Sequence, residues 1–157
     1  FVHMANFHGV QFCQKVVECG IDTLILPDLP MVEYENHYKA LFDKYGINNV
    51  FLITPHTTEE RIKKIDSYTE SFIYMVASSS ITGAKGEISQ QQIDYFQRIK
   101  TMNLQSKLII GFGISDHQTF STACQYANGA IIGSAFINAL ADNGINHINS
   151  FIAQIRS

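Results

Sequence analysis

The stretch Lys107–Leu140, which reads KLIIGFGISDHQTFSTACQYANGAIIGSAFINAL, decides the fold of this chain. Two short apolar runs, 108–110 and 130–132, lead into Gly111-Phe112-Gly113 and Gly133-Ser134. The residues between them have helical spacing, so the stretch predicts a strand, a glycine loop, a helix, a second strand, a glycine and a second helix. Glycine lets backbone N–H groups come close to a ligand, and the first N–H groups of a helix lack partners within the helix. Both features favour a bound phosphate group.

The remainder of the chain repeats this alternation. Four earlier apolar runs are each followed by a segment with helical spacing, which gives six predicted strands at 1–5, 23–26, 50–53, 72–77, 108–110 and 130–132. Regular alternation of strands and helices predicts an α/β fold with a parallel sheet. Two architectures fit this pattern. A doubly wound sheet is complete with five or six strands, whereas a TIM (β/α)8 barrel has eight strands and about 250 residues.

The position of the glycine sites favours the barrel. Barrels often bind phosphate at the loops after their last two strands, and both glycine sites of this chain follow its last two predicted strands. We therefore predict an incomplete TIM barrel of about six β-α units, corresponding to strands 3–8. Residues 1–157 are expected to form one partial (β/α)8 barrel domain from which the first two β-α units are absent.

The composition narrows the classes of partner. Only 16% of the residues are charged, which is typical of a fold with strands buried on both faces. The chain has 11 basic and 14 acidic residues, and the basic residues form no continuous stripe, which argues against nucleic acid as a binding partner. No apolar run reaches the ~18 residues of a membrane helix, and the six histidines have no metal-ligand spacing. The cysteines form no C-x-x-C pair, and Cys13 and Cys124 fall on apolar positions of predicted helices, so these two are predicted to be buried free thiols. Free thiols favour a reducing compartment, and the cytoplasm is the predicted location.

Several side chains near the predicted strand ends are candidates for a ligand site. The polar segment 78–86 is longer than a turn requires and is predicted to form a lid that contributes Thr82 and the Gly83 amide. Asp28 follows a buried strand and fits either a catalytic carboxylate or an acceptor for backbone N–H groups of its own turn. Tyr74 alternates with its neighbours along a strand and points either into the barrel mouth or into the core.

Polar residues and glycines also mark the ends of the predicted helices. Ser134 has a hydroxyl that fits either a donor to a phosphate oxygen or a helix cap. Thr57-x-x-Glu60 and Ser115-x-x-Gln118 each match a capping box. Gly20 and Gly46 stand where helices are predicted to end.

A set of short motifs, in the same order along the chain, resembles the tryptophan synthase alpha chain family. Together they cover essentially the whole chain, and the Pro-Asp-Leu-Pro, Thr-Gly-Ala and Gly-Phe-Gly-Ile-Ser pieces are quite specific. The motifs are Met4-Ala5-Asn6, Cys19-Gly20-Ile21-Asp22, Leu26-Pro27-Asp28-Leu29-Pro30, Ser80-Ile81-Thr82-Gly83-Ala84, Gly111-Phe112-Gly113-Ile114-Ser115 and Gly129-Ala130-Ile131-Ile132-Gly133-Ser134.

The resemblance implies a lyase of tryptophan biosynthesis that cleaves indole-3-glycerol phosphate to indole and glyceraldehyde 3-phosphate by a retro-aldol reaction. The family forms an alpha2-beta2 tetramer, in which a beta chain joins indole to serine using pyridoxal phosphate; no cofactor is implied for this chain. The phosphate is expected on the backbone amides of Gly83, Gly113, Gly133 and Ser134. The substrate pocket and lid are expected to include Tyr74, Thr82 and Phe112. The beta-chain contact is expected near Asp28 and Pro30.

The resemblance also implies that the catalytic residues are absent from this chain. The family's catalytic glutamate and aspartate lie before the position of Phe1, so the chain alone is expected to release no indole. Six strands leave both sheet edges unpaired, so the isolated chain is expected to aggregate or to stay partly unfolded. Met4, Ser80 and the short loop 6–9 depart from the family pattern, at positions that bear on the indole pocket, the lid and the beta-chain contact.

Two alternatives stay open at the level of sequence. One is another phosphate-binding barrel enzyme, either of the ribulose-phosphate epimerase type or a sister enzyme of tryptophan or histidine biosynthesis. The other is a non-enzymatic, doubly wound phosphate-binding module.

Overall fold

The computed structural model describes residues 9–77, 88–111 and 113–157. The predicted strand 1–5, the predicted lid 78–86 and Phe112 lie outside the described residues. The strands are β1 (Thr23–Ile25), β2 (Asn48–Val50), β3 (Leu52–Ile53), β4 (Phe72–Val76), β5 (Lys107–Gly111) and β6 (Gly129–Ile131). The helices are α1 (Gly9–Glu18), α2 (Met31–Glu33), α3 (Lys39–Tyr45), α4 (Glu59–Tyr68), α5 (Gln90–Thr101), α6 (His117–Tyr126), α7 (Ser134–Asn143) and α8 (Ile148–Arg156). A π-helical segment, Tyr34–Tyr38, joins α2 to α3, and a 3-10 turn, Ile145–His147, precedes α8.

The strands pair in the order in which they occur in the chain, and all described pairs are parallel. β1 pairs with β2, and β3, β4, β5 and β6 form a four-stranded sheet in that order. Only Phe51 separates β2 from β3, so one predicted strand is divided between the two sheets. A doubly wound sheet reverses its strand order at a switch point, whereas the strands of a barrel follow one another in sequence. The sequential order among the described strands is that of a barrel.

The side of the sheet that faces the helices carries the main hydrophobic core. Ile53, Met75 and Ile110 are fully buried there, and they share one face because Met75 pairs with Ile53 on one side and with Ile110 on the other. Burial of a large apolar side chain stabilises the fold by about 1.5–3 kcal/mol, so this layer fixes the strand ends in place. The helices contribute residues at helical spacing to the same cluster, namely Ile62, Ile65, Tyr95, Phe96, Ile99 and Ala123.

The opposite, inner face of the sheet is only partly covered by the described residues. Leu52, Tyr74 and Ile109 lie side by side across β3, β4 and β5 on this face. Tyr74 is buried but lies outside the main core cluster, and Leu52 and Ile109 are half-buried. The expectation of strands buried on both faces is therefore met more fully on the helix side than on the inner side.

Two predicted helix caps are displaced by one residue. Thr58, not Thr57, caps α4, because the Thr57 hydroxyl already accepts the Thr54 N–H inside the preceding loop at 2.9 Å. Asp116, not Ser115, caps α6, and its carboxylate accepts the N–H of Thr119. In both loops adjacent residues have side chains able to cap, and the path of the loop selects between them.

The cysteine and glycine predictions have mixed outcomes. Cys13 is buried in α1, as predicted, but Cys124 is exposed, because it is the neighbouring Ala123 that α6 turns toward the core. Gly20 and Gly46 follow α1 and α3 with φ angles of +72° and +65°, which confirms them as glycines that end helices.

Candidate functional site

The candidate site lies where β5 and β6 end. Gly111 and Ile131, the last residues of these strands, pair with each other, so Gly113 and Gly133 each follow a paired strand end by two residues. Gly113 has a φ of +82°, a backbone conformation that residues with a side chain rarely adopt. Gly133 is the N-cap of α7, which begins at Ser134. The predicted start of a helix at Gly133-Ser134 is thereby confirmed.

Among the described residues, no atom lies close to the position that a side chain would take on either glycine. Gly113, Gly133 and Ser134 are exposed, and a Cβ atom placed on either glycine would meet no atom of the described structure within 4 Å. The first N–H groups of α7 have no partner within the helix, and the N-terminal end of a helix carries partial positive charge. Two neighbouring strand ends therefore offer backbone N–H groups with room in front of them for an anion.

Tyr74 lies across the end of β5. Its side chain is 8% exposed, and burial raises the pKa of its hydroxyl. A Cβ atom at Gly111 would lie 2.0 Å from the Tyr74 hydroxyl oxygen and 2.4 Å from Cζ. Only glycine at position 111 leaves room for this ring. Tyr74 therefore lies on the face of the sheet opposite to Met75, with its hydroxyl beside the last residue of β5.

The chain that leaves Gly113 is held by a reciprocal cap at the start of α6. The Thr119 N–H donates to the Asp116 carboxylate at 2.8 Å, and the Asp116 N–H donates to the Thr119 hydroxyl at 3.2 Å. Hydrogen bonds from the backbone and hydroxyl of Thr119 lower the pKa of the Asp116 carboxyl. Because Thr119 is buried, the cap fixes the direction in which the chain runs from Gly113 into the helix.

The other predicted site residues are not brought to this position by the described structure. Asp28 and Pro30 are exposed in the turn after β1, at the opposite end of the strand order from β6. That turn is closed by a backbone hydrogen bond from the Leu29 N–H to the Leu26 carbonyl, at 3.1 Å. Four residues that the sequence singled out, Met4, Ser80, Thr82 and Gly83, lie outside the described residues, as does Phe112.

Two side chains of α5 near the strand ends have no counterpart in the sequence-based predictions. The Tyr95 hydroxyl donates to the Ile53 carbonyl at 3.1 Å, and the Arg98 guanidinium donates to the carbonyls of Pro55 and Thr57. A spacing of three residues places Tyr95 and Arg98 on one helix face. The sequence signal that could have identified this contact is Arg98, a cationic residue beside the apolar stripe of a predicted helix.

The described part of the chain contains neither a candidate metal cluster nor a candidate membrane helix. Among residues 9–77, 88–111 and 113–157, no three His, Cys, Asp or Glu side chains are grouped so as to hold a metal ion. None of the helices in this part of the chain combines the length and the apolar character needed to cross a membrane.

Known sequences show the family to which the chain is similar. The family model described as "Tryptophan synthase alpha chain" matches residues 3–156. The chain is 53% identical over 150 residues to a tryptophan synthase alpha chain of Flavobacterium johnsoniae, a match that covers 95% of this chain and 59% of the relative. It is 50% identical over 137 residues to one of Bacteroides thetaiotaomicron, which covers 87% of this chain and 54% of the relative. The chain thus spans somewhat more than half the length of these curated relatives.

Solved structures agree with the sequences. The fold is similar to that of the tryptophan synthase alpha subunit of Pyrococcus furiosus, with a TM-score of 0.82 and 26% identity over 97% of this chain and 62% of that one. It is also similar to a chain in the structure of the tryptophan synthase a2b2 complex from the same organism, with a TM-score of 0.80 and 28% identity over 97% of this chain and 61% of that one. These alpha subunits are TIM barrels, which confirms the predicted fold class. The family match and the curated relatives do not favour the other barrel enzymes or the doubly wound module.

Proposed function

This chain belongs to the tryptophan synthase alpha chain family, and on that premise we propose that it forms part of a lyase that cleaves indole-3-glycerol phosphate to indole and glyceraldehyde 3-phosphate. The observation that carries the proposal is the pair of open backbone sites at Gly113 and at Gly133-Ser134, which follow neighbouring strands at one edge of the sheet. Beside them lies a partly covered apolar face with a buried tyrosine. A substrate with a phosphate at one end and an aromatic ring at the other is complementary to this arrangement.

The phosphate is proposed to accept hydrogen bonds from the backbone N–H groups of Gly113, Gly133 and Ser134, with the Gly83 amide as a further donor. Backbone amides at a helix N-terminus stabilise an anion without a basic side chain. The open space in front of both described glycines supports this assignment. Tyr74 is proposed to line the pocket beside the organic part of the substrate, together with Phe112 and Thr82.

In the proposed reaction, the bond between the indole ring and the glycerol carbon breaks. The ring carbon gains a proton, and the hydroxyl on the glycerol carbon loses a proton as that carbon becomes the aldehyde, so the step requires a general acid and a general base. We assign neither role to an acidic residue of this chain. The catalytic glutamate and aspartate are proposed to come from the part of the family protein that this chain does not span. The chain contributes by holding the phosphate, which keeps the reacting carbon in position.

We propose that the indole passes to a tryptophan synthase beta chain in an alpha2-beta2 assembly. The likeness to a chain in the a2b2 complex supports this partner, and the exposed residues Asp28 and Pro30 are the proposed contact. Pyridoxal phosphate is proposed to bind only to the beta chain. The three cysteines are free, which fits the proposed location in the reducing cytoplasm.

The proposed function is tested with a hybrid protein. In this hybrid, the part of the Flavobacterium johnsoniae alpha chain that precedes its matched region is joined to Phe1. We expect the hybrid protein to release indole from indole-3-glycerol phosphate and the 157-residue chain alone to release none. An inactive hybrid would refute the reaction, and turnover by the chain alone would refute the assignment of the acid and base to a part outside it.

Two alanine variants of the hybrid protein test the phosphate site. Gly133→Ala adds a methyl group to the open space at the start of α7, whereas Gly129→Ala adds one at the beginning of β6, where it makes an ordinary contact with Ile109 Cδ1 at 3.4 Å. We expect Gly133→Ala to raise KM on the order of tenfold with little change in kcat, since uniform binding of the phosphate is lost. Gly129→Ala is expected to leave KM unchanged. Equal effects of the two substitutions would contradict phosphate binding at Gly133.

A further inference from the structure

Helix α5 is fastened to the loop that follows β3, residues 54–58, here called the β3 loop. Arg98 Nη2 donates to the Pro55 carbonyl at 3.0 Å, and both terminal nitrogens of Arg98 lie 3.4 Å from the Thr57 carbonyl. The guanidinium lies 5.7 Å from the centroid of the Tyr95 ring, and Tyr95 in turn donates to the Ile53 carbonyl. One face of α5 therefore holds both the end of β3 and the loop that leaves it.

The β3 loop has its own internal hydrogen bonds, which leave two carbonyls for Arg98. The Thr54 N–H donates to the Thr57 hydroxyl at 2.9 Å, and the Thr57 N–H donates to the Thr54 carbonyl at 3.0 Å. The His56 N–H donates to the Thr54 hydroxyl at 3.3 Å. Arg98 forms no ion pair with a carboxylate of the described residues. A half-buried guanidinium that uses its planar donors on neutral carbonyls stabilises a loop conformation rather than balancing a charge.

The β3 loop lies next to the candidate site. Leu52 of β3 pairs with Tyr74 of β4, so the loop begins two residues beyond the strand position beside Tyr74. Tyr74 itself reaches over Gly111. Ligands of parallel α/β folds bind at the carboxyl ends of the strands, and the β3 loop stands at such an end. It therefore lies on the side of Tyr74 opposite to the glycines.

We propose that Arg98 is a positioning residue of this site, whose guanidinium fixes the β3 loop as the wall beside Tyr74. This assignment rests on the proposed function for its substrate, although the contacts that carry it belong to the fold alone. Arg98 itself does not touch the ligand. Its effect on binding passes through the carbonyls of Pro55 and Thr57.

Lys100 provides a matched control on the same helix. Its Nζ donates to the Gln125 carbonyl at 2.7 Å and lies 5.7 Å from the centroid of the Tyr126 ring. Like Arg98, it joins α5 to a neighbouring element through a backbone carbonyl and lies near an aromatic ring, although the ring beside Arg98 is that of Tyr95 in α5 itself. Its partners lie at the C-terminal end of α6, away from the carboxyl ends of the strands.

The test compares Arg98→Met, Arg98→Lys and Lys100→Met in the hybrid protein. Arg98→Met is expected to raise KM for indole-3-glycerol phosphate on the order of tenfold, because charge-assisted hydrogen bonds to the β3 loop are lost. It is also expected to speed amide hydrogen exchange in residues 54–58. Arg98→Lys keeps one donor group and is expected to restore part of the affinity. Arg98→Met and Lys100→Met are expected to lower the melting temperature by similar amounts. In Lys100→Met, however, KM and the amide hydrogen exchange of residues 54–58 are expected to stay unchanged.

The result that overturns the proposal is an unchanged KM in Arg98→Met, or equal changes of KM in Arg98→Met and Lys100→Met. Binding of 3-(indol-3-yl)propyl phosphate, which keeps the ring and the phosphate of the substrate but lacks its hydroxyls, is measured by calorimetry on the same three variants and reports on the wall without requiring turnover. If the hybrid protein is inactive, the proposed function fails. The role of Arg98 is then decided by the calorimetric binding and by the amide hydrogen exchange of the β3 loop. Equal affinities of all three variants for this analogue would also overturn it.

Discussion

Substitution of Gly111 by alanine is expected to displace Tyr74 and destabilise the protein. The added Cβ would lie 2.0 Å from the Tyr74 hydroxyl oxygen, 2.4 Å from Cζ and 2.8 Å from Cε2. Ordinary contacts begin near 3.4 Å, so the ring must move by more than 1 Å, or β4 and β5 must separate. The ring is the part that gives way, because five paired positions hold the two strands together.

The magnitude follows from the cost of overpacking, about 1–3 kcal/mol. For a protein of the size of the hybrid, a loss of 1 kcal/mol of stability lowers Tm by about 2–4 °C. Gly111→Ala is therefore expected to lower the Tm of the hybrid protein by about 2–12 °C. The same substitution is expected to raise KM, because Tyr74 is a wall of the proposed pocket. Thermal unfolding by circular dichroism and steady-state kinetics measure the two effects.

A double-mutant cycle with Tyr74→Ala isolates the contact. When the ring is absent, Gly111→Ala is expected to cost nothing or to stabilise by about 0.4–1 kcal/mol, since alanine restricts the unfolded chain. Gly111 is not among the glycines with positive φ, so alanine fits its backbone. Equal costs of Gly111→Ala with and without Tyr74 would refute the reasoning, because the penalty would then come from the strand and not from the ring.

Three further predictions concern single contacts. Burial alone would raise the pKa of Asp66, but hydrogen bonds from Ser106 and from the Gln105 backbone outweigh it and lower that pKa. The carboxylate therefore stabilises the fold above the unfolded-state pKa of about 4, and this stabilisation is lost as pH falls through the lower folded-state value. Urea unfolding of Asp66→Asn should lack this part of the acid dependence. Tyr95→Phe leaves the Ile53 carbonyl without its donor and is expected to cost about 1–3 kcal/mol in urea unfolding. Gly113→Ala forces a side chain into φ near +82°, which costs about 1–2 kcal/mol, and is expected to weaken glycerol 3-phosphate binding measured by calorimetry.

The repeating part of the fold was predictable from sequence because it rests on local patterns. The apolar runs place the described strands to within about two residues, a usual boundary error, and Gly20, Gly46 and Gly133 mark helix ends through backbone demands that only the residue type reveals. The position of the glycine sites after the last two strands was enough to favour a barrel over a doubly wound sheet.

The contacts that shape the site were not predictable in the same way. The fit of Tyr74 over Gly111 depends on the register between β4 and β5, which no local pattern specifies. The tie between Arg98 and Pro55 joins residues 43 positions apart and uses a backbone carbonyl, which carries no residue-type signal. The helix caps were displaced because two residues with suitable side chains stand next to each other.

The unequal covering of the two sheet faces has a consequence for protein engineering. The side chains that hold the strands to the helices and those that face the inner side alternate along the same strands, so the two sets can be varied independently. A combinatorial library restricted to Leu52, Ile109 and Ile131 is expected to vary the shape of the proposed pocket while the helix-side packing stays constant. Selection from such a library in the hybrid protein is expected to act on the preference for the proposed substrate, with little background from misfolded variants.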